Sequence, residues 1–398
     1  MQAALFARGR QRGFFCAQSP GFWRMWENDK LAKTERGPAA SAPIRLEVWM
    51  KKRRLQTRTV LIVFILAAAA SILLAAGLGP VAVSPGTTAK ILLSRLPGLG
   101  SHIPVTWQAV EENIVLGLRL PRACLGMAVG ASLAVCGVAM QALVRNQLAD
   151  PFILGVSSGA AAFATLGMLF GAFAFFGVYS LSISAFLGAG ATILFVYTIS
   201  RTRGRVNIPQ LLLSGVAVSM IMDGLTSVIK LSAPNALGLH NAEFWMAGSL
   251  AGAKWAYLTL PLATLLLCMA VLAANYRGLN LLLLGDDSAG ALGVNVPRLQ
   301  KLLILICSLL AGTSIAVSGT IGFVGLIVPH FTRLLVGGDH KRVLPVSALL
   351  GGILVVWVDA AARLLIAPEE LPVGVLTAIL GGPLFLWLLS NQTRKNRR

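Results

Sequence analysis

Charge is scarce in this sequence. Of 398 residues only 12% are Asp, Glu, Lys or Arg, about half the share of a soluble globular chain. That excludes an ordinary soluble domain. Acidic side chains are scarcest, 15 against 34 Lys and Arg, for a formal net charge of +19. No basic face with interleaved aromatics accompanies the surplus, which sets a nucleic-acid partner aside. Cysteine is sparse too: Cys16, Cys124, Cys136, Cys268 and Cys307 form no CxxC pair. Neither a disulfide framework nor a metal site follows from them, and four sit in apolar runs as small hydrophobes. No G-x-x-x-x-G-K-[ST] loop occurs, so the chain does not bind ATP by that route. Neither H-E-x-x-H nor G-x-S-x-G is present. His102, His240, His330 and His340 are too dispersed for a metal cluster, and no cofactor is implied. No stretch alternates as a barrel strand would. Residues 1–50 hold Trp23, Trp26 and Pro38 but no apolar core, which argues against a signal peptide.

What is abundant is apolar. Hydrophobic residues make up 56% and glycine numbers 41, a composition that suits closely packed helices in lipid. A crossing helix needs about 20 apolar residues. The runs predict ten spans, near 60–79, 123–143, 153–171, 180–200, 209–231, 256–275, 300–319, 322–337, 343–366 and 373–390. The chain is read as an all-α, polytopic membrane protein. Its organisation is a basic, disordered cytoplasmic tail over 1–55, a transmembrane domain over 56–392, and a basic cytoplasmic tail over 393–398. Met50, followed by "KKRR", is an alternative start. With both ends in the cytoplasm, inner loops and flanks from residue 51 hold 19 Lys and Arg and outer ones hold 7, as the positive-inside rule requires.

Symmetry is hinted at. "PFILGVSSGA" in the first half and "GTIGFVGLIVPH" in the second are paired Gly/Pro-broken segments, a cue for transporters, though independent glycine packing accounts for them equally well. Charges inside spans are few, among them Asp223 in the fifth and Asp359 and Arg363 in the ninth. Isolated charges in lipid cost several kcal/mol, so these face protein or water. Asp359 and Arg363 stand i,i+4 and are best read as a self-neutralising pair. Asp223 suits a packing hydrogen bond or an ion relay. Outside, Arg119 and Arg122 in "LRLPR" join Arg363 near the same face. They suit either snorkelling anchors or a rim that grips carboxylates.

One polar segment stands apart, "LLGDDSAGALGVN" at 283–295. Gly285 permits a sharp turn, Asp286 and Asp287 suit a helix N-terminus, and Gly293 suits its stop. The residues spell a short capped helix at the inner face. So short a helix is marginal alone and needs something to pack against.

Taken together, "LRLPRACLGMAVGASLAVCGVAMQALVRNQLADPFILGVSSGAA", "FWMAGSL", "LLGDDSAGALGVNVPR", "SGTIGFVGLIVPHFTRLLVGGDHKRVLPVSALLGG" and "ELPVGVLTAILGGPLFLWLL" resemble the iron-siderophore, haem and cobalamin ABC importer permeases, which include the vitamin B12 permease. The resemblance runs from about Val60 to Leu389. It implies a type II ABC importer fold in the inner membrane: a homodimer with the path at its interface, two separate ATPase subunits below, and a periplasmic substrate-binding protein above. Gly285, Asp286, Ala289, Leu292 and Gly293 match the family's ATPase-coupling helix. Arg119, Arg122 and Arg363 match arginines that dock the binding protein. Asn146 and Leu148, with Ile208 and Pro209, match the two parts of a cytoplasmic gate. Two positions depart from the pattern: Gln147 replaces the usual Pro, and the second gate part is not small and polar.

The expected function is therefore permease rather than enzyme, passing a ferric siderophore while a partner hydrolyses ATP. Haem or cobalamin is the alternative cargo. An ion-coupled secondary transporter working through Asp223 and Asp359 is the alternative class.

Overall fold

The computed structural model describes residues 42–95, 98, 103–202 and 205–396. Residues 1–41, Cys16, Trp23, Trp26 and Pro38 among them, lie outside the described residues, as do His102 and positions 397 and 398. The chain divides into two units, 1–59 and 60–398. The first contributes the start of helix α1 (Ala42–Gly77), so the backbone is already helical over 42–55, where sequence predicts tail.

The helices of the second unit follow the apolar runs. After α1 come α2 (Pro85–Ser94), α3 (Ala109–Val144), α4 (Val156–Phe170), α5 (Ser180–Ser200), α6 (Ile208–Leu231) and α7 (Ala236–Met246). Then follow α8 (Trp255–Ala274), α9 (Tyr276–Leu282), α10 (Asp286–Ala291), α11 (Val296–Ser318), α12 (Val324–Val336), α13 (His340–Leu364) and α14 (Val373–Asn396). Among the described residues eight helices are long and apolar enough to cross a membrane, and α4 and α12 are shorter apolar helices. Those ten correspond to the ten expected spans. α3 begins 14 residues earlier than its apolar run and carries a π-helical stretch, Asn113–Arg119. The only strands among the described residues are two-residue pieces, Arg201–Thr202 against Arg205–Val206, antiparallel.

Polar caps set many of the boundaries. Side chains of Ser84, Asn207, Asn235, Asn295 and Asp339 accept a backbone N–H from the first turns of α2, α6, α7, α11 and α13, satisfying donors that a helix start leaves open. α2 and α7 escape a search for apolar runs, being too short to span.

α3 is the axis. Its most apolar window is 89% buried, against 22% for α1, and α13, α11, α12 and α8 pack around it. Glycine permits the closest crossings. A β-carbon on Gly130 would strike the Gly351 carbonyl of α13, and one on Gly351 would strike the Gly130 carbonyl. Gly159 of α4 and Gly188 of α5 approach in the same reciprocal way. Where lipid is as apolar as leucine, such backbone approach is what holds helices together. The buried thiols Cys136 and Cys307 also meet there, Cys136 Sγ lying 3.5 Å from the Cys307 carbonyl.

α4 and α12 share a construction. Each starts just after a residue in the left-handed region, Gly155 at φ 79° and Phe323 at φ 65°. These are the two broken segments that sequence pairs.

Candidate functional site

The chemistry-bearing residues gather in two regions of α3, one around Arg119 and Arg122 where its π-helical stretch ends, the other at its C-terminal end. Arg122 and Arg145 stand 23 residues apart along it, which is about 34 Å at 1.5 Å per residue.

At the Arg145 end lies α10. Its cap differs from the sequence reading. The N-cap position is Gly285, at φ 105°, and no side chain caps the helix. Asp286 and Asp287 occupy the first turn, where carboxylates act on the open N–H ends through the helix dipole. The C-terminal stop is as expected. Gly293 takes φ 86°, Val294 N–H donates to the Ala289 carbonyl at 3.0 Å, and Gly293 N–H to the Gly290 carbonyl at 3.0 Å. That pair of bonds is a Schellman motif. Ala289 is fully buried and anchors the helix, while Leu284 and Leu292 on either side are 62% and 60% exposed.

Two ties join this corner to the bundle, and sequence reasoning missed both. Arg145, the C-cap of α3, places Nη1 3.5 Å from Asp286 Oδ1. Asn280 of α9 donates to Asp339 Oδ1 at 2.8 Å, and its own Oδ1 accepts the His340 backbone N–H at 3.0 Å. His340 Nδ1 lies 2.7 Å from that same oxygen, so Nδ1 carries the proton there. Asp339 and His340 start α13, which couples α9 to that helix. The only signal in sequence was polar residues flanking apolar runs. Nearby, Arg333 in the last turn of α12 donates to Gln141 Oε1 of α3.

Immediately after Arg145 comes the expected gate. Asn146 Oδ1 accepts the Leu148 N–H at 2.9 Å, and Ala149 N–H donates to the Asn146 carbonyl at 3.1 Å. This is an Asx turn, so the segment is closed without the proline that Gln147 replaces. Asp150 accepts the Phe152 N–H at 2.7 Å. Burial pushes its carboxyl above the usual carboxylate range, against the pull of that N–H. Of the second gate part, Ile208 is buried at 8% and turns into the core, while Pro209 is exposed.

At the other end the three arginines are not an exposed rim. Arg119, Arg122 and Arg363 are only 5%, 7% and 3% exposed. Arg119 donates to the carbonyls of Gly77 and Val81. Arg363 donates to Leu78 O at 2.8 Å and pairs with Asp359 Oδ2 at 3.1 Å. Arg122 pairs with Asp359 Oδ1 at 2.8 Å and Glu370 Oε2 at 2.9 Å. The i,i+4 pairing read from sequence is present, widened into a network across α1, α3 and α13. The partners were invisible because they are backbone carbonyls and a glutamate distant in sequence. Asp359, held by two guanidinium groups, is no free relay. Asp223, by contrast, is exposed on α6, and its carboxylate has no partner among the described residues, which removes the packing bond expected for it.

Residues 63–391 match the FecCD transport family. The chain is 41% identical to the cobalamin import system permease protein BtuC of Halobacterium salinarum, over 66% of this chain and 68% of that one. It is 42% identical to the hemin transport system permease protein HmuU of Yersinia pestis, over 63% and 75%. It is 39% identical to the Fe(3+) dicitrate transport system permease protein FecD of Escherichia coli, over 65% and 80%. A solved inward-facing metal-chelate type ABC transporter superposes with a TM-score of 0.71 and 32% identity, covering 84% of this chain and 99% of that one.

Proposed function

The chain belongs to the FecCD transport family, and from that premise we propose that it is the permease of an importer whose cargo is a ferric siderophore. It is a multi-pass protein of the inner membrane. The family implies a separate ATPase and a substrate-binding protein as partners. We further infer a homodimer with the path between its copies and with both chain termini in the cytoplasm. Iron chelates recur in the names of its relatives, ferric dicitrate in Escherichia coli and ferric hydroxamate in Bacillus subtilis, and this supports the choice of cargo.

One observation carries the mechanism: α10 is held stiffly at its C-terminus and tied to α3, and α9 just before it is tied to α13, yet bare leucines face outward on either side of α10. In this reading Leu284 and Leu292 seat α10 in a cleft of the ATPase, with Gly285 and Asp286 at its start, Gly293 at its stop and the buried Ala289 anchoring it from behind. Closure of the ATPases on ATP moves α10. The Asp286–Arg145 tie hands that movement to α3, and the Asn280 tie hands it to α13. Because Arg145 directly precedes Asn146, displacement of the tie reaches the gate turn at once, and Asn146 and Leu148 part from Pro209. Ile208 anchors α6 rather than forming the gate itself. At the outer end, the buried arginine network braces the face on which the loaded binding protein docks. Coupling of this kind needs elements with two arrangements rather than a single residue.

The test is reconstitution with the cognate ATPase and binding protein in vesicles. Uptake of ferric chelate that requires ATP supports the reading. Uptake by the permease alone, driven by an imposed ion gradient, overturns it.

A further inference from the structure

A cavity of about 300 Å³ opens beside Asp223, lined also by Ser157, Ser158, Thr226, Ser227 and Lys230. It lies within the span of α6, about 12 Å from the helix end at Leu231, and its wall is polar. A carboxylate exposed at that depth does not face lipid, because the desolvation penalty is too great. It faces water or protein.

The surrounding face is a continuous track. Pro209, Leu213, Val216, Met220, Asp223 and Ser227 recur at alternating spacings of four and three, and so share one side of α6. All six are exposed. The track begins at the gate residue Pro209 and ends by Lys230. Lys230 is already neutralised, Nζ lying 2.9 Å from Glu243 Oε1. Ser227 donates to the Asp223 carbonyl at 2.8 Å. Ser157 and Ser158, in the first turn of α4, carry hydroxyls with no partner among the described residues. The cavity therefore presents one uncompensated negative charge, two free hydroxyl groups on Ser157 and Ser158, and the Ser227 oxygen as a further acceptor.

We propose that Asp223, with Ser157, Ser158 and Ser227, is a cargo-contact station on the wall of the path, and that it favours cationic or neutral chelates bearing hydrogen-bond donors over polyanionic ones. The inference rests on the importer reading above and sharpens its substrate class. A carboxylate walled by low-dielectric helices raises the local concentration of cations and repels anions. A pair of copies doubles the charge that a chelate meets. The hydroxyl groups add bonds to hydroxamate or amide groups without regard to charge.

The experiment uses the permease–ATPase complex in nanodiscs without binding protein, dialysed to equilibrium against radio-iron-labelled chelates. One is a cationic ferric trihydroxamate, the other ferric dicitrate. The complex is expected to retain the cationic chelate about fivefold or more over the anionic one at low salt, a preference that salt erodes. Asp223→Asn should bring the ratio to within about twofold of unity, and Asp223→Lys should invert it. Equal retention by the unaltered complex, or a ratio that the substitutions leave unchanged, overturns the station. So does a smaller particle on gel filtration of Asp223→Asn, which would make the carboxylate a bond between copies. ATP-driven uptake in vesicles separates the two readings. If ferric chelate is taken up but the ratio ignores residue 223, only the station falls. If no ferric chelate is taken up under ATP, the cargo assignment falls and the station with it.

Discussion

Arg145 Nη1 stands 3.5 Å from Asp286 Oδ1, joining the cap of α3 to the first residue of α10. Both side chains are partly exposed, so the pair contributes little to stability. Its proposed importance is positional, because the next residue, Asn146, builds the Asx turn read above as part of the gate. Asp286→Arg is therefore expected to insert and fold normally while ATP-driven uptake drops about tenfold or more, the scale of a coupling free energy of 1–3 kcal/mol. Adding Arg145→Asp should restore part of the uptake by rebuilding the pair in reverse. Vesicle uptake and ATPase rate, measured side by side, check both. Normal uptake by the single variant would remove α10 from the coupling path.

The backbone at Arg145 allows a second separation. Its φ of 57° lies in the left-handed region, which costs a residue with a β-carbon roughly 1 kcal/mol, whereas glycine adopts it freely and is preferred where helices stop. Arg145→Gly should thus leave thermal stability unchanged or slightly raised while lowering uptake. Arg145→Ala keeps the strain, loses the tie, and should be the worse of the two in melting. Thermal melts of the purified complex beside vesicle uptake decide it. Full uptake by the glycine variant would mean that the ion pair transmits nothing.

How much of this could be read beforehand depends on the range of the interaction. The spans were legible because each is a local apolar run, and the end of α10 was legible because Gly293 needs no partner to signal a left-handed stop. The start of α10 differs from what its residues suggest: carboxylates at 286 and 287 point to a side-chain cap, but glycine at 285 already occupies the cap position. Arg119, Arg122 and Arg363 show the opposite limit. Their residue type favours exposure, and only folding brings the carbonyls of Gly77, Leu78 and Val81, and Glu370, within reach. Asn280 and His340, sixty positions apart, carry no sequence sign of their bond. Nor does the exposed stripe on α6 declare itself until its neighbours are seen to leave it bare.

Glycine crossings give a prediction about assembly. Any side chain at Gly130 meets the Gly351 backbone and Val355, neither of which can yield cheaply. Gly130→Val should cost about 1–3 kcal/mol or more through overpacking and reduce the yield of monodisperse protein. Gly190 has nothing within 4 Å of an added β-carbon, so Gly190→Ala should be neutral or mildly stabilising through helix propensity. Comparing the two by gel filtration after membrane extraction isolates close approach from glycine content as such. Equal behaviour would deny that α3 and α13 depend on contact between their backbones.

The outer network yields the last prediction. Asp359 is buried and sits between Arg122 and Arg363. Asp359→Ala leaves two buried guanidinium groups short of a counter-charge, and breaking such a pair costs about 3–5 kcal/mol. Glu370→Gln should cost less, since Glu370 retains 28% exposure and water can replace it. Removing the charges together is a different matter. Arg122→Met, Arg363→Met and Asp359→Leu combined exchange ions for apolar bulk, and such exchanges are often neutral or stabilising. If the arginines only brace the docking face, the triple variant should melt near the unaltered protein and bind the loaded binding protein with affinity within about threefold, under 1 kcal/mol. A variant that melts normally yet no longer binds would return Arg122 and Arg363 to direct docking, and would require the network to open when the binding protein arrives.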